Sequence, residues 1–151
     1  MSVDGLDQGF ARAALGLLGD AGLTVYDGQV ADGVLKAGQP VPPYVSLWCT
    51  LGPPQGDPDN PVGGGTVILV ASWYCTCVGD DAKAVRAVQA AVRAALQDAV
   101  PVPLDADDEP IAGVVCGQIY QVEAGAPGPS NVLGFEVSSA TAQYDVRASI
   151  A

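Results

Sequence analysis

The chain has 151 residues, six of them basic and seventeen acidic, with no histidine and a formal net charge of −11. That length is most simply one domain, 1–151, with enough chain to bury one real core, and a 49% hydrophobic fraction sets it apart from disordered sequences. The acid excess argues against a surface that wraps nucleic acid, which needs basic patches, and the lack of histidine removes the commonest general base and triad member.

Leu6 to Leu18 reads as a first helix. Its apolar stripe is Phe10, Ala14, Leu17 and Leu18 with Leu6 one turn before, Asp4 is a candidate cap, and Gly19 or Gly22 ends it. The spacing of Gly16, Gly19 and Gly22 follows a helix, not a strand, so it marks a helix terminus and not a nucleotide loop. Asp4 and Asp7 stand where a signal peptide needs positive charge, so a cytoplasmic site of synthesis is expected. The longest strongly apolar run, Val67–Ala71, is too short to span a bilayer, and no membrane partner is expected.

Leu23–Tyr26 is a short strand turned by Asp27-Gly28, and residues 27–43 form a polar connection in which Pro40, Pro42 and Pro43 exclude helix. Tyr44–Leu51 alternates Val45, Leu47, Cys49 and Leu51 against Tyr44, Ser46, Trp48 and Thr50, a strand pattern. Gly52–Gly65 then joins two strands as a long hairpin loop. Loops of that length are often functional: this one is either a floppy surface loop or an arm that orders against a partner, and in the second case Gln55, Asp57, Asp59 and Asn60 are candidates to meet it. The triple glycine 63–65 leads into a strand with no Lys-Ser/Thr after it, so it is not a phosphate cradle.

The dominant element follows. From Thr66 to Val78, Val67, Leu69, Ala71, Trp73, Cys75 and Cys77 line one wholly apolar strand face. At Asp80 the period changes. Val85, Val88, Val92 and Leu96 recur at helical spacing through Ala82–Gln97, with Lys83, Arg86, Arg93 and Gln97 opposite. Asp80 is the expected N-cap, and Asp81 adds charge suited to the helix start. Beyond the helix, Pro101, Pro103 and Pro110 bracket an acidic loop, Leu104–Glu109. Val114–Val122 reads as a strand and Ala124–Ser130 as a Gly/Pro loop. Val132–Val137 and Ala140–Ala148 are closing strands, or one strand with a bulge near Ser138-Ser139. The order of elements predicts α+β: a mostly antiparallel sheet with two main helices packed on one face.

Little chemistry is legible. Cys49, Cys75, Cys77 and Cys116 all fall in predicted strands, and a C-x-C pair without histidine does not match the usual zinc sets. Buried reduced thiols are the first reading, with a metal or redox site and a disulfide as the alternatives. Asp80-Asp81 is explained by helix capping and Asp107-Asp108-Glu109 by an exposed acidic loop. A carboxylate-only metal hydrolase is the enzyme class left open beside them. From Asp98 to Glu136 the chain holds seven acids (Asp98, Asp105, Asp107, Asp108, Glu109, Glu123, Glu136) and no Lys or Arg. A solvated acidic face, or a surface that repels a polyanion, would each produce this. A non-catalytic protein whose activity is assembly is therefore expected, with no cofactor and no metal.

Val25-Tyr26-Asp27-Gly28, Pro43-Tyr44-Val45, and Trp73-Tyr74-Cys75-Thr76-Cys77-Val78-Gly79 leading into Ala84–Val92 form a pattern. It resembles the tail terminator (tail completion) proteins of long-tailed bacteriophages, in particular those of high-GC actinobacteria. The resemblance runs from the first helix to the last strand. It implies a virion subunit assembled in the host cytoplasm that forms a ring, in that family a hexamer. The ring caps the tail tube protein, ends tail polymerisation and presents a docking surface to the head–neck connector protein, while DNA passes through the channel without specific binding. Another head–tail connector or minor tail protein is the nearest alternative. A small-ligand or peptide-binding α+β domain is a more distant one, and would need a concave pocket around Trp48, Trp73 and Tyr74. In a ring, the basic helix stripe (Lys83, Arg86, Arg93) and the acidic loop (Asp107, Asp108, Glu109) would be opposing subunit-interface faces, and 104–109 or the 52–65 hairpin (Gln55, Asp57, Asp59, Asn60) would face the tube or lumen.

Overall fold

A computed structural model describes residues 5–53, 55–56 and 67–151. It is an α+β fold: helices α1 (Leu6–Asp20) and α2 (Ala82–Leu96) lie on one face of a sheet of eight strands. The strands are β1 (Val25–Asp27), β2 (Tyr44–Leu51), β3 (Gln55–Gly56), β4 (Val67–Gly79), β5 (Val114–Cys116), β6 (Tyr120–Ala124), β7 (Gly128–Val132) and β8 (Phe135–Ile150). The main path runs β1-β2-β4-β8-β5, and among the described residues only β1 pairs in parallel, with β2.

Two long strands form the spine. β4 and β8 pair antiparallel without a break from Val67↔Ile150 to Gly79↔Ser138, so no bulge falls at Ser138-Ser139. On the helix side the ladder places Leu69, Ala71, Trp73, Cys75 and Cys77 beside Ala142, Tyr144, Val146, Ala148 and Ile150, all buried. Val85, Val88, Val92 and Leu96 of α2 and Leu6, Phe10, Ala14 and Leu18 of α1 close over them. Each fully buried Val, Leu or Phe among them contributes roughly 1.5–3 kcal/mol.

The helix ends follow local chemistry. Asp81, not Asp80, is the N-cap of α2: its carboxylate accepts from Ala84 N–H at 2.8 Å, while Asp80 reaches toward Val41 N–H at 3.5 Å. Gly79 lets the helix start close to the strand end, where an added Cβ would sit 2.8 Å from Ala84 Cβ. α1 runs on to Asp20 and ends in a Schellman motif. Leu23 N–H donates to Leu18 C=O, Gly22 N–H donates to Gly19 C=O, and Gly22 takes φ 81°. Its N-cap is Gly5, with no side-chain bond, and Asp4 lies outside the described residues.

Three expectations are corrected. Residues 114–122 are not one strand. β5 pairs Cys116↔Ala148 and β6 pairs Tyr120↔Asp145, a shift of one residue, which flips the faces of Tyr120 and Gln121 until a second shift between Gln121 and Glu123 reverses it. The shift turns Ile119 fully inward, where it exchanges backbone hydrogen bonds with Asp98 N–H (2.9 Å) and Ala99 C=O (2.8 Å) beyond α2. Next, Val132 belongs to β7, whose ladder with β8 closes at Val132↔Phe135 around Leu133-Gly134. Both turn residues have positive φ, 50° and 84°, as a type I′ hairpin requires, and Asn131 Oδ1 accepts from Gly134 N–H at 3.0 Å. Finally, the 27–43 connection is not simply polar. Val30 and Leu35 fold onto Tyr44, Val78 and Val137 and build a second, smaller core on the face opposite the helices.

The β2–β4 hairpin extends beyond Leu51. Gly52 N–H donates to Val70 C=O at 2.8 Å, and Gln55 and Gly56 pair with Ile68 and Val67.

Candidate functional site

Three features stand out once the core is accounted for: a basic helix face, an acidic turn and an open sheet face.

Lys83, Arg86 and Arg93 are exposed on the outer side of α2, interleaved with exposed Ala87, Ala90 and Ala94. Half of the chain's six basic residues thus lie on one helix face, because the buried stripe at Val85, Val88, Val92 and Leu96 fixes the helix rotation.

The acidic loop is a built turn, not a loose segment. Asp105 Oδ1 accepts from Asp107 N–H at 2.8 Å and Glu109 N–H at 3.0 Å. Asp105 N–H donates to Glu109 C=O at 2.8 Å, and Asp108 adopts φ 60°. A Leu104↔Pro110 bridge closes its base. The base is anchored on α1: Arg12 Nη1 donates to Leu104 C=O at 3.2 Å, and a Cβ on Gly9 would lie 3.1 Å from the same oxygen. Asp107, Asp108 and Glu109 are left exposed at the tip.

The face of the sheet away from the helices is covered at the Tyr44–Val78 end by the second core. Elsewhere the ladder sets rows of Ser46, Thr76 and Thr141, of Trp48, Tyr74 and Gln143, and of Thr50, Ser72, Asp145 and Tyr120. Thr76 and Thr141 join hydroxyl to hydroxyl at 2.9 Å. Trp48 is 53% exposed, Tyr120 46% and Val115 70%, a concentration of apolar surface on one side of a strongly charged chain. Trp48 and Tyr74 are thus on the opposite side of the sheet from Trp73, which is fully buried under α1. A pocket drawing on all three aromatics, as a ligand-binding domain would need, is excluded by strand parity.

Of the hairpin residues, Gln55 lies in β3, and Asp57, Asp59 and Asn60 lie outside the described residues. All four cysteines are free thiols, Cys75 and Cys77 buried and Cys49 and Cys116 half-buried. Burial pushes Cys77 up to about 12, Cys116 to about 11 and Cys75 higher still. Cys49 rises to about 12 through burial first and the charges of Asp7 and Asp27 second. Such thiols are poor thiolate sources at neutral pH. Among the described residues no group of three or more His, Cys, Asp or Glu is placed to hold a metal ion, and no helix is long and apolar enough to cross a membrane.

Spacing in the sequence did not reveal a crevice of about 250 Å³ between α2 and β6, where Gln89 and Arg93 face Gln121 and Tyr144. Its walls are tied: Gln89 Nε2 donates to Gly125 C=O at 3.0 Å, and Tyr144 O–H donates to Gln121 Oε1 at 3.2 Å.

No protein-family model matches the chain, and no curated relative matches it. Among solved structures, it is similar in fold to a chain from the virion of a native gene transfer agent (GTA) particle, at 21% identity and a TM-score of 0.50. The likeness covers 95% of this chain and 91% of that one.

Proposed function

We propose that this protein is a non-catalytic structural subunit of a phage-like virion: a tail-terminator-like protein that closes into a ring, a hexamer, on the end of a tail tube. There it ends tube growth and presents the docking surface for the head–neck connector. The observation that carries the reading is the end-to-end fold likeness to a chain of a GTA virion particle, since it spans nearly all of both chains. The surfaces agree with it. A closed ring needs two different faces of one subunit that fit each other, and the basic side of α2 and the rigid acidic turn on α1 are such a pair. A net charge of −11 suits a channel that passes DNA without retaining it, because like charge removes the affinity gained from counterion release.

A neighbouring neck or minor tail position draws on the same support, because the matched structure is titled for a whole particle. One experiment separates the two. Purified tail tubes are incubated with the protein and imaged by negative-stain electron microscopy, and tube elongation is followed after addition of tube monomers. A terminator gives one ring at a tube end and halts elongation. Tubes that elongate at the control rate with no terminal ring would sink the reading.

A further inference from the structure

We infer that the crevice between α2 and β6 is the socket for the acidic turn Asp105–Glu109 of a second copy of this chain, with Arg93 as its counter-charge. The inference rests on the ring reading and narrows it from two charged faces to one seat.

The socket's chemistry selects a carboxylate. Its lining offers a guanidinium from Arg93 and an amide NH₂ from Gln121, whose Oε1 is already occupied by the Tyr144 hydroxyl, and it contains no Asp or Glu. The lining also carries Gln89, whose NH₂ is taken by Gly125 C=O, so what selects the ligand is one cation with no anion beside it, which favours an acceptor-only, anionic group. The charge of Arg93 is felt inside: it opposes the burial and the neighbouring Cys75 and Cys77 that together raise Tyr144 to about 12. Gln121 is also held at both ends, its backbone N–H donating to Gln97 Oε1 at 3.0 Å and its side-chain Oε1 accepting from Tyr144, so its amide stands in place before anything binds. Ala142 and Ala124 give the crevice an apolar floor on which a short acidic side chain can rest its methylene.

The occupant is argued from charge and rigidity. The turn uses Asp105 to hold itself together and leaves Asp107, Asp108 and Glu109 outward, so docking it orders little that was not ordered already. It cannot be the match of a like face. The turn rides on α1, which packs over β1, β2 and β4, while the crevice sits where α2 meets β8 and β6. Turn and socket therefore belong to different elements, so each subunit presents one of each, and a contact made once per neighbour, turn into socket, is heterologous. Such contacts repeat head to tail and close a ring where the rotation allows.

The test uses the full chain, with native mass spectrometry across a concentration series, with and without tail tubes. Arg93→Glu should weaken assembly by about tenfold or more, as should the paired Asp107→Lys and Asp108→Lys substitution. Combining all three should restore much of the loss, and 1 M salt should weaken the wild-type ring. The turn substitutions sit on an exposed tip, so they keep the test decisive should Arg93→Glu unfold. Wild-type rings with unaltered assembly in both single-side variants would overturn the socket and leave the ring standing. A wild-type chain that stays monomeric with and without tubes would overturn both.

Discussion

The indole Nε1 of Trp73 donates to the carbonyl oxygen of Phe10 at 3.1 Å, joining the centre of β4 to the first half of α1 across the core. The two rings also meet at 6.1 Å between centroids, tilted by 58°. Trp73 is the largest fully buried side chain, and this bond satisfies its one polar atom in a site closed to the surface.

Trp73→Phe should therefore destabilise the fold by about 1–3 kcal/mol, through the lost indole hydrogen bond and the smaller ring. Trp73→Ala should cost about 3–5 kcal/mol. Urea denaturation followed by circular dichroism would measure both. Equal midpoints for Trp73→Phe and wild type would show that the bond adds nothing to stability.

Leu133 points the other way. It sits in the left-handed region at φ 50° at the first turn position of the β7–β8 hairpin, where a non-glycine side chain costs roughly 1–2 kcal/mol. Its side chain is 43% exposed, so little packing offsets the strain. Leu133→Asn, creating Asn-Gly at the turn, should raise the thermal midpoint by several degrees, on the order of 2–4 °C for about 1 kcal/mol at this chain length. An unchanged or lowered midpoint in differential scanning calorimetry would argue that the turn is not strained.

These residues mark what a single sequence discloses here. Val85, Val88, Val92 and Leu96 declared α2 and its buried side because helical spacing is a local property. The alternation from Val67 to Cys77 declared β4 for the same reason. Leu133 could not be foreseen, since nothing about leucine advertises a left-handed turn. Val114–Val122 read as one strand because the one-residue register shift after Cys116 depends on a partner strand about 30 residues away, not on the local pattern. The second core was missed because Val30, Val34 and Leu35 follow neither strand nor helix spacing and gain their partners only through the fold. The charged helix side and the acidic loop were legible as stretches. The crevice was not, because Gln89, Gln121 and Tyr144 come from three separate segments.

The thiols make stability sensitive to alkali. Cys49 and Cys77 are held near 12 and Cys116 near 11 in the folded chain, against an ordinary value of 9.0, because burial disfavours the thiolate. Below pH 9 both folded and unfolded chains keep these protons, and the stability linked to them is fully present. As pH climbs from about 9 toward 12 the unfolded chain releases protons that the folded chain retains, so the equilibrium moves toward unfolding. The urea midpoint should be flat from pH 7 to 8.5 and decline above pH 9. The double variant Cys75→Ala and Cys77→Ala should decline less steeply, since it removes two of the raised groups. The same burial should protect Cys75 and Cys77 from iodoacetamide at pH 8 until urea unfolds the chain, as peptide mass mapping can follow. Rapid alkylation of either in the native protein, or a midpoint flat to pH 10.5, would mean that these thiols reach solvent.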